Sequence, residues 1–600
     1  MDLFAAAPVV RQEVSLDDLI AGSVASIRRL FDEGYPTLIA FSSGKDSSVL
    51  MILTFMAAIQ AKNGGRHPKI AVCHSNTGIE NPLIAELAKC EMKKIEAYAA
   101  KHGLDVQVRV AQPELLDSWG PRICGGRALP SYPGLNADCS VAWKCEPSRK
   151  LRHTLSEQLG GEKEVVVCTG TRRSESVRRG ANMLKRKDSS VEPVRNKEGE
   201  LVLSPIAEWD TDSVFELLGL CGAGIIESYT DAQEVLTAYR DAGPTSCAVV
   251  NDSIMEGEGK AKNCGARFGC ALCTVVQNDS SMDNLLNNDP QYGFMRGLGR
   301  LRNYLMAIQN DMGRRLWVGR TIREGHIAIR PDVFSPEEMR RIYRYAVTLG
   351  AEEAEAAQAL GIAPRFRLIP PEAAVCIDML WSRDGHFDGF AAVADYLDIW
   401  QGRERYPVPE KVEMLSAERP EPRFLEVGEN WAEACGDHWA GIREPFVAAM
   451  LEDCLPVKSY GKKNAVAAWA DLESEDGFVI DQESLAMFFH FEADEMVRQY
   501  RDRQMDTRGI AYRWYLQYGL ARLSARQILN HDKALRRTAY KRLAGVSGPE
   551  VDVDRLFDAA KPWDQVPASV QASFLSESRL KQLRETKESE QRKKMQASLF

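Results

Sequence analysis

The segment Phe41-Ser42-Ser43-Gly44-Lys45-Asp46-Ser47-Ser48-Val49-Leu50 combines side chains and backbone that both handle anions. Residues 37–43 read as a short buried strand, and an apolar helix opens at Asp46. Between them lies a small, hydroxyl-rich loop holding Gly44 and Lys45. Unpaired N–H groups and the helix dipole converge at such a loop, so it suits a phosphate. The spacing G-x-x-x-x-G-K-[ST] is absent, so this is not a Walker A loop. Taken alone, the same residues also suit an ordinary Ser/Gly turn.

A second anion feature follows the strand expected at 162–171. Arg172, Arg173, Arg178 and Arg179 flank Ser174-Glu175-Ser176, and guanidinium forks match phosphate or sulfate oxygens. A solvated basic turn is the alternative. The third feature is Cys247, Cys264, Cys270 and Cys273 in a glycine-rich, non-periodic stretch. One C-x-x-C with two more cysteines fits a four-thiolate site, although a zinc ribbon would show two such pairs. Four buried free cysteines are the plain alternative. Cys124, Cys139 and Cys145 lie between the third strand and the next helix. A thiolate near a nucleotide can carry sulfur as a persulfide, and Cys145, beside basic residues in WKCEPSRK, is the best placed. A structural cysteine at a helix start explains it equally. Cys73 and Cys168 fall inside expected strands and read as core. The nine histidines show no metal-ligand spacing, and His74 alone adjoins an expected active loop.

These residues need elements to hold them. Six hundred residues imply two to four domains. Over the first two hundred, apolar strands alternate with amphipathic helices, which predicts an α/β fold with a parallel sheet covered on both faces. Ligands of such sheets sit beyond the carboxyl ends of the strands. The loops at 42–48, 75–81 and 169–179 therefore converge on one rim. The expected plan is this α/β domain over 1–235, a Cys-rich segment over 236–300 and a helical domain over 301–402. A Pro-rich linker over 403–424, a helical domain over 425–575 and a charged helical tail over 576–600 complete it. No apolar run reaches membrane length and the first residues lack signal-peptide character, so a cytoplasmic location without membrane contact is expected. A formal charge of −9 argues against a chain coated by nucleic acid, without excluding a local basic face. Residues 314–330 interleave arginines with Trp317, which suits either a nucleic-acid backbone or a surface hairpin.

The order SSGKDS, NTGIENP, WKCEPSRKL, TGTRRSESVRR, PIAEWDTDSVF resembles the 3′-phosphoadenosine-5′-phosphosulfate (PAPS) reductase family of PP-loop ATP pyrophosphatases, over residues 25–220. The resemblance implies an enzyme that cleaves ATP between its α and β phosphates. It places Lys45, Asp46 and Arg172 in the chemistry, and Cys145 joins them as the candidate sulfur carrier. Ser42, Ser43, Gly44, Ser47, Ser48, Asn76, Thr77, Gly78, Gly170, Arg173 and Arg178 fall at the nucleotide. Ser43 stands where glycine is usual, and Asn76 where an aspartate is common, so that position offers magnesium no carboxylate. The run CGARFGCALCTVV resembles the iron–sulfur region of the DndC-type sulfurtransferases of bacterial DNA phosphorothioation. That resemblance implies a [4Fe–4S] cluster on Cys247, Cys264, Cys270 and Cys273, with zinc as the alternative metal. It further implies ATP with Mg2+, a cysteine desulfurase and other DNA-modification or defence proteins as partners, and DNA. The final QASLF resembles a sliding-clamp docking peptide through Gln596, Leu599 and Phe600; a frayed terminus is the alternative. Two rival functions remain. A PAPS or adenylyl-sulfate reductase usually carries an E-C-G-L-H tail, whereas the last cysteine here is Cys454. A nucleotide-sensing defence subunit would bind ATP and move no sulfur.

Overall fold

The computed structural model describes residues 14–133, 138–159, 163–175, 177–243, 268–415, 417–429, 457–460, 465–468, 477–501, 508–548 and 551–575. Cys247, Cys264, the expected charged tail and the QASLF terminus lie outside them. The described residues fall into two compact units, the first within 1–113 and 131–302, the second within 114–130 and 303–600.

In the first unit the sequence alternates as expected: α1 (Leu16–Asp32), β1 (Thr37–Phe41), α2 (Lys45–Asn63), β2 (Lys69–Ser75), α3 (Pro82–His102) and β3 (Asp105–Ala111). Then come α4 (Glu146–Leu159), β4 (Val166–Thr169), α5 (Val177–Arg186), β5 (Val194–Arg195), β6 (Leu201–Leu203), α6 (Thr211–Gly222) and α7 (Gln233–Asp241). The six strands order as β3-β2-β1-β4-β6-β5, parallel except for β5. Successive residues of β1 serve opposite faces, as strand geometry requires. Ile39 and Phe41 join the core under α1 and α2, while Leu38 packs with Ala71, Leu155 and Val167 on the other side. Helix α2 is apolar on nearly every face, and Val49 through Leu53 are all buried. Each fully buried large apolar side chain there contributes roughly 1.5–3 kcal/mol relative to exposure. Helix α3 shows why its ends lie where they do: Asn81 caps it, Pro82 opens it, and Gly103 ends it in the left-handed conformation.

β1 is the point where the sheet reverses its winding, with β2 on one side and β4 on the other. Loops leaving β1 and β4 there open a crevice between them, the usual ligand position of an open α/β sheet.

The second unit is helical, with α8 (Pro336–Leu360), α9 (Pro371–Asp384), α10 (Ala391–Trp400), α11 (Ile510–Gln517) and α12 (Ala525–Leu543) among its helices. It also holds a four-stranded antiparallel sheet. The hairpin β7 (Val318–Arg323) and β8 (His326–Ile329) pairs with β9 (Arg423–Glu426), which pairs in turn with Lys561–Pro562. The stretch at 314–330, expected to suit a nucleic-acid backbone or a surface hairpin, contains the β7–β8 hairpin. Its Arg314 is taken by Asp311 and Glu338, and its Arg320 by Asp332. Residues 114–130 pack here too: Trp381 Nε1 donates to the Cys124 carbonyl at 2.8 Å. Among the described residues, no helix is long and apolar enough to cross a membrane.

Candidate functional site

Helix α2 begins at Gly44, which has no side chain to cap it, so its first N–H groups are not taken by a cap. The loop is instead braced by hydroxyls. Ser47 Oγ donates to the Gly44 carbonyl at 2.9 Å and lies 3.1 Å from Ser42 Oγ; the Ser42 N–H donates to Ser47 Oγ at 3.2 Å. Ser43 occupies the left-handed region with φ +55°, a conformation glycine takes freely and other residues adopt at a cost of roughly 1–2 kcal/mol. Ser43 Oγ, fully buried, donates to the Ser42 carbonyl at 2.6 Å. This backbone accounts physically for the usual glycine at that position.

The loop after β4 closes over the start of α2. A Cβ on Gly170 would lie 3.0 Å from the Asp46 carbonyl oxygen and 3.2 Å from the Ser47 nitrogen, both backbone atoms, so any larger residue requires that backbone to give way. Beyond it, Arg172 is 1% exposed, and its Nε donates to Asp46 Oδ1 at 2.6 Å. Its Nη1 reaches Ser174 Oγ at 3.0 Å and the Trp209 carbonyl at 3.4 Å. A buried guanidinium held by four partners is a fixed charge. Lys45, also buried, lies 3.5 Å from Asp46 Oδ2 and 4.8 Å above the ring of Tyr239, a cation–π position.

These groups line one cavity of about 620 Å3, a size suited to a nucleotide-sized ligand. Ser42, Gly44, Lys45, Asp46, Ser47, Gly170 and Arg172 all face it, joined by Glu175, Arg179, Tyr239 and Phe268. Tyr239 and Phe268 meet edge to face at 5.3 Å; Tyr239 belongs to no motif, and Phe268 sits in the CGARFGCALCTVV run, whose signal lay in its cysteines. Ser43 and Ser48 turn into the protein interior instead. Arg173 is drawn away to Glu208 at 2.7 Å and the Asp188 carbonyl at 2.8 Å. The Arg178 side chain lies outside the described structure.

A second cluster gathers at the exit of β2. Asn76 Oδ1 accepts from the Gly78 N–H at 2.9 Å, an Asx turn that Gly78 completes with φ +76°. Thr77 Oγ1 lies 3.6 Å from Cys270 Sγ, and the Ala271 N–H donates to the Ile79 carbonyl at 2.8 Å. The cysteine segment is therefore stitched to this loop. Cys270 and Cys273 stand on one tight turn, the Cys273 N–H donating to the Cys270 carbonyl at 3.0 Å. Burial pushes the Cys270 thiol up, and nearby Lys144 opposes it. His74 donates through Nδ1 to the Phe41 carbonyl at 3.1 Å, and its Nε2 is 3.7 Å from Glu80 Oε2. Burial lowers the His74 pKa and raises that of Glu80, driving both toward neutrality. Cys145 is exposed at the end of the turn before α4. Cys139 lies on the short turn before it and donates its N–H to Ser131 Oγ at 3.3 Å. Cys73 and Cys168 are buried strand residues whose thiols are pushed up to about 11 and about 12 by desolvation. Cys124 is sealed inside the second unit.

Two neighbouring thiols, on a turn anchored to the rim, fit half of a thiolate metal set. Cys247 and Cys264 lie outside the described residues. Among the described residues, no three His, Cys, Asp or Glu side chains form a metal-binding group.

No curated protein is detectably similar to the chain. Among solved structures, the chain is similar to the PAPS reductase of Candida auris (13% identity, TM-score 0.22, 36% of this chain and 87% of that one). It is also similar to the U34-tRNA thiolase NcsA of Methanococcus maripaludis with its [4Fe-4S] cluster (14%, 0.24, 48% and 80%). A third likeness is to the FMN adenylyltransferase of Candida glabrata with FMN and AMPCPP (10%, 0.22, 36% and 62%). At these scores the likenesses are too distant to assign chemistry. The family comparison is specific: residues 36–275 match the phosphoadenosine phosphosulfate reductase domain. Over residues 36–275 the chain is thus similar to a PAPS reductase domain, and the parallel sheet with its loop at the switch point is the fold of that region.

Proposed function

We propose that this domain binds ATP in the cavity between the β1 and β4 loops and adenylates a substrate oxygen, releasing pyrophosphate. The observation that carries the reading is that one cavity unites an uncapped helix start, Lys45 and the fixed Arg172–Asp46 pair. Open N–H groups and Lys45 hold the phosphates, and Tyr239 with Phe268 offers aromatic surface to the base. The substrate oxygen attacks the α-phosphorus, and the bond from that phosphorus to the pyrophosphate oxygen breaks. Arg172, with its orientation set by Asp46, stabilises charge gathering on the phosphates. The outer sulfur of a persulfide then attacks, forms the carbon– or phosphorus–sulfur bond and expels AMP. A second thiol cleaves the remaining S–S bond, leaving sulfur on the product and the two thiols joined as a disulfide. Magnesium would supply further charge neutralisation at the phosphates.

We further assign the substrate step to ATP-dependent sulfur transfer in DNA modification of the phosphorothioation kind, or in phage defence, with a cysteine desulfurase as sulfur source. The attachment of the Cys270–Cys273 turn to the β2 exit loop supports sulfur chemistry near the rim. Those two thiols, with Cys247 and Cys264, would hold a [4Fe–4S] cluster or zinc, able to bind sulfur or stabilise the segment. The test is pyrophosphate release from ATP by anaerobically purified protein, with and without DNA. Release that disappears in Lys45→Ala supports the reading. Tight ATP binding without release would favour a nucleotide-sensing subunit.

A further inference from the structure

The second unit contains a cavity of about 380 Å3 where the β7–β8 hairpin, the end of α9 and the last turns of α12 meet. Six cationic side chains line it: Arg320, Arg323, Arg330, Arg383, Arg537 and Lys541. Against them stand two carboxylates, and both are occupied. Asp332 accepts from Arg320 Nε at 2.9 Å, and Asp384 from Arg383 Nη2 at 2.8 Å. Among the described lining residues, cationic side chains thus outnumber carboxylates, and Arg330 and Lys541 leave the lining net positive without counting Arg537. Like charges crowded in a partly desolvated cavity carry a cost that a bound anion relieves. The cost is visible at Lys541, whose pKa burial and the neighbouring Arg537 and Arg320 push down to about 8, against the opposing pull of Asp384 and Asp332.

We propose that this cavity is a phosphate-binding site and that its occupant is the backbone of a nucleic-acid strand. Charge is not confined to the interior: Arg323 and Arg330 are exposed and carry it outward along the hairpin. An interior pocket continued by surface arginines suits a string of phosphates better than one small anion. Phe574 and the imidazole of His386 are the rings on its described wall, so the site has little flat surface for holding a base. The inference stands on the second unit and does not require sulfur transfer in the first.

The test uses the full chain and a short fluorescein-labelled mixed-sequence DNA strand, titrated at several salt concentrations. Arg330→Gln/Lys541→Gln should weaken binding on the order of tenfold and flatten the log–log salt slope by roughly 1.4, about 0.7 per lost contact. Arg330→Gln alone, at an exposed position, should lose about half of that slope change with an unaltered melting temperature. Lys45→Ala should bind the strand as wild type does, which separates this site from the ATP cavity. In parallel, inorganic pyrophosphate is scored by its thermal shift on wild type and the double variant. Loss of both responses in the double variant supports the proposal. Strand binding unchanged in both variants overturns the strand as occupant even if the pyrophosphate shift is lost, and two unchanged responses overturn the site.

Discussion

The two cavities treat charge in opposite ways. In the first unit the buried Arg172 brings its own counter-ion, Asp46, and Glu175 pairs with Arg179. The charges there are fixed in direction before any ligand arrives, as transition-state stabilisation requires. In the second unit the arginines and Lys541 outnumber their carboxylates. That imbalance is relieved by binding an anion. Internally neutralised charge reads as machinery for positioning, and a net-positive lining as a place that awaits a ligand.

The comparison breaks most sharply at Asp46. Asp46→Ala leaves Arg172 buried without its partner and should cost about 3–5 kcal/mol in denaturant unfolding. The Asp46→Ala/Arg172→Leu double variant should recover much of that loss, and a failure to recover would refute the account of the pair. Gly170→Ala comes next. Its methyl must push the Asp46–Ser47 backbone aside, so we expect a loss of about 1–3 kcal/mol and no ATP-induced thermal shift. The second cavity is sharpened by pH. The folded-state pKa of Lys541, about 8, lies below its ordinary 10.5. Between those values the unfolded chain holds the proton and the folded chain releases it, so stability rises with pH across that window. Wild type should therefore gain on Lys541→Met from pH 8 to 10.5, measured by urea midpoints, and added DNA should flatten the gain. The smallest effect belongs to Ser43→Gly. Relief of the left-handed backbone is offset by glycine's entropy and the lost Ser43 hydrogen bond, so stability should move by less than about 1 kcal/mol. Pyrophosphate release should persist.

Much of the first unit was legible because its strands are short apolar runs bounded by turn residues and its helices carry their own caps. The expected strand at 37–43 and the apolar helix opening at Asp46 agree with β1 and α2. The rim loops were legible too, since parallel strands put all their exits on one side. Aromatic partners were not: Tyr239 and Phe268 reach Lys45 and each other only through folding, and no local spacing encodes that. Arg172 and Arg173 are neighbours of one type, yet one turns inward to Asp46 and the other outward to Glu208. In the second unit the sequence suggested helices, and the antiparallel sheet escaped notice because β9 and Lys561–Pro562 are too short to show a period.

By itself the sequence determined the PP-loop, its place between a strand and a buried helix, and the alternation that makes a parallel sheet. These follow from local sterics, hydrogen-bonding needs and apolar periodicity, which act over a few residues. Only the tertiary structure decided which charges meet. The Arg172–Asp46 pair spans 126 positions, and the cationic cavity draws on residues from 316 to 574. Electrostatic balance is set by distance in space, and chain distance carries little information about it.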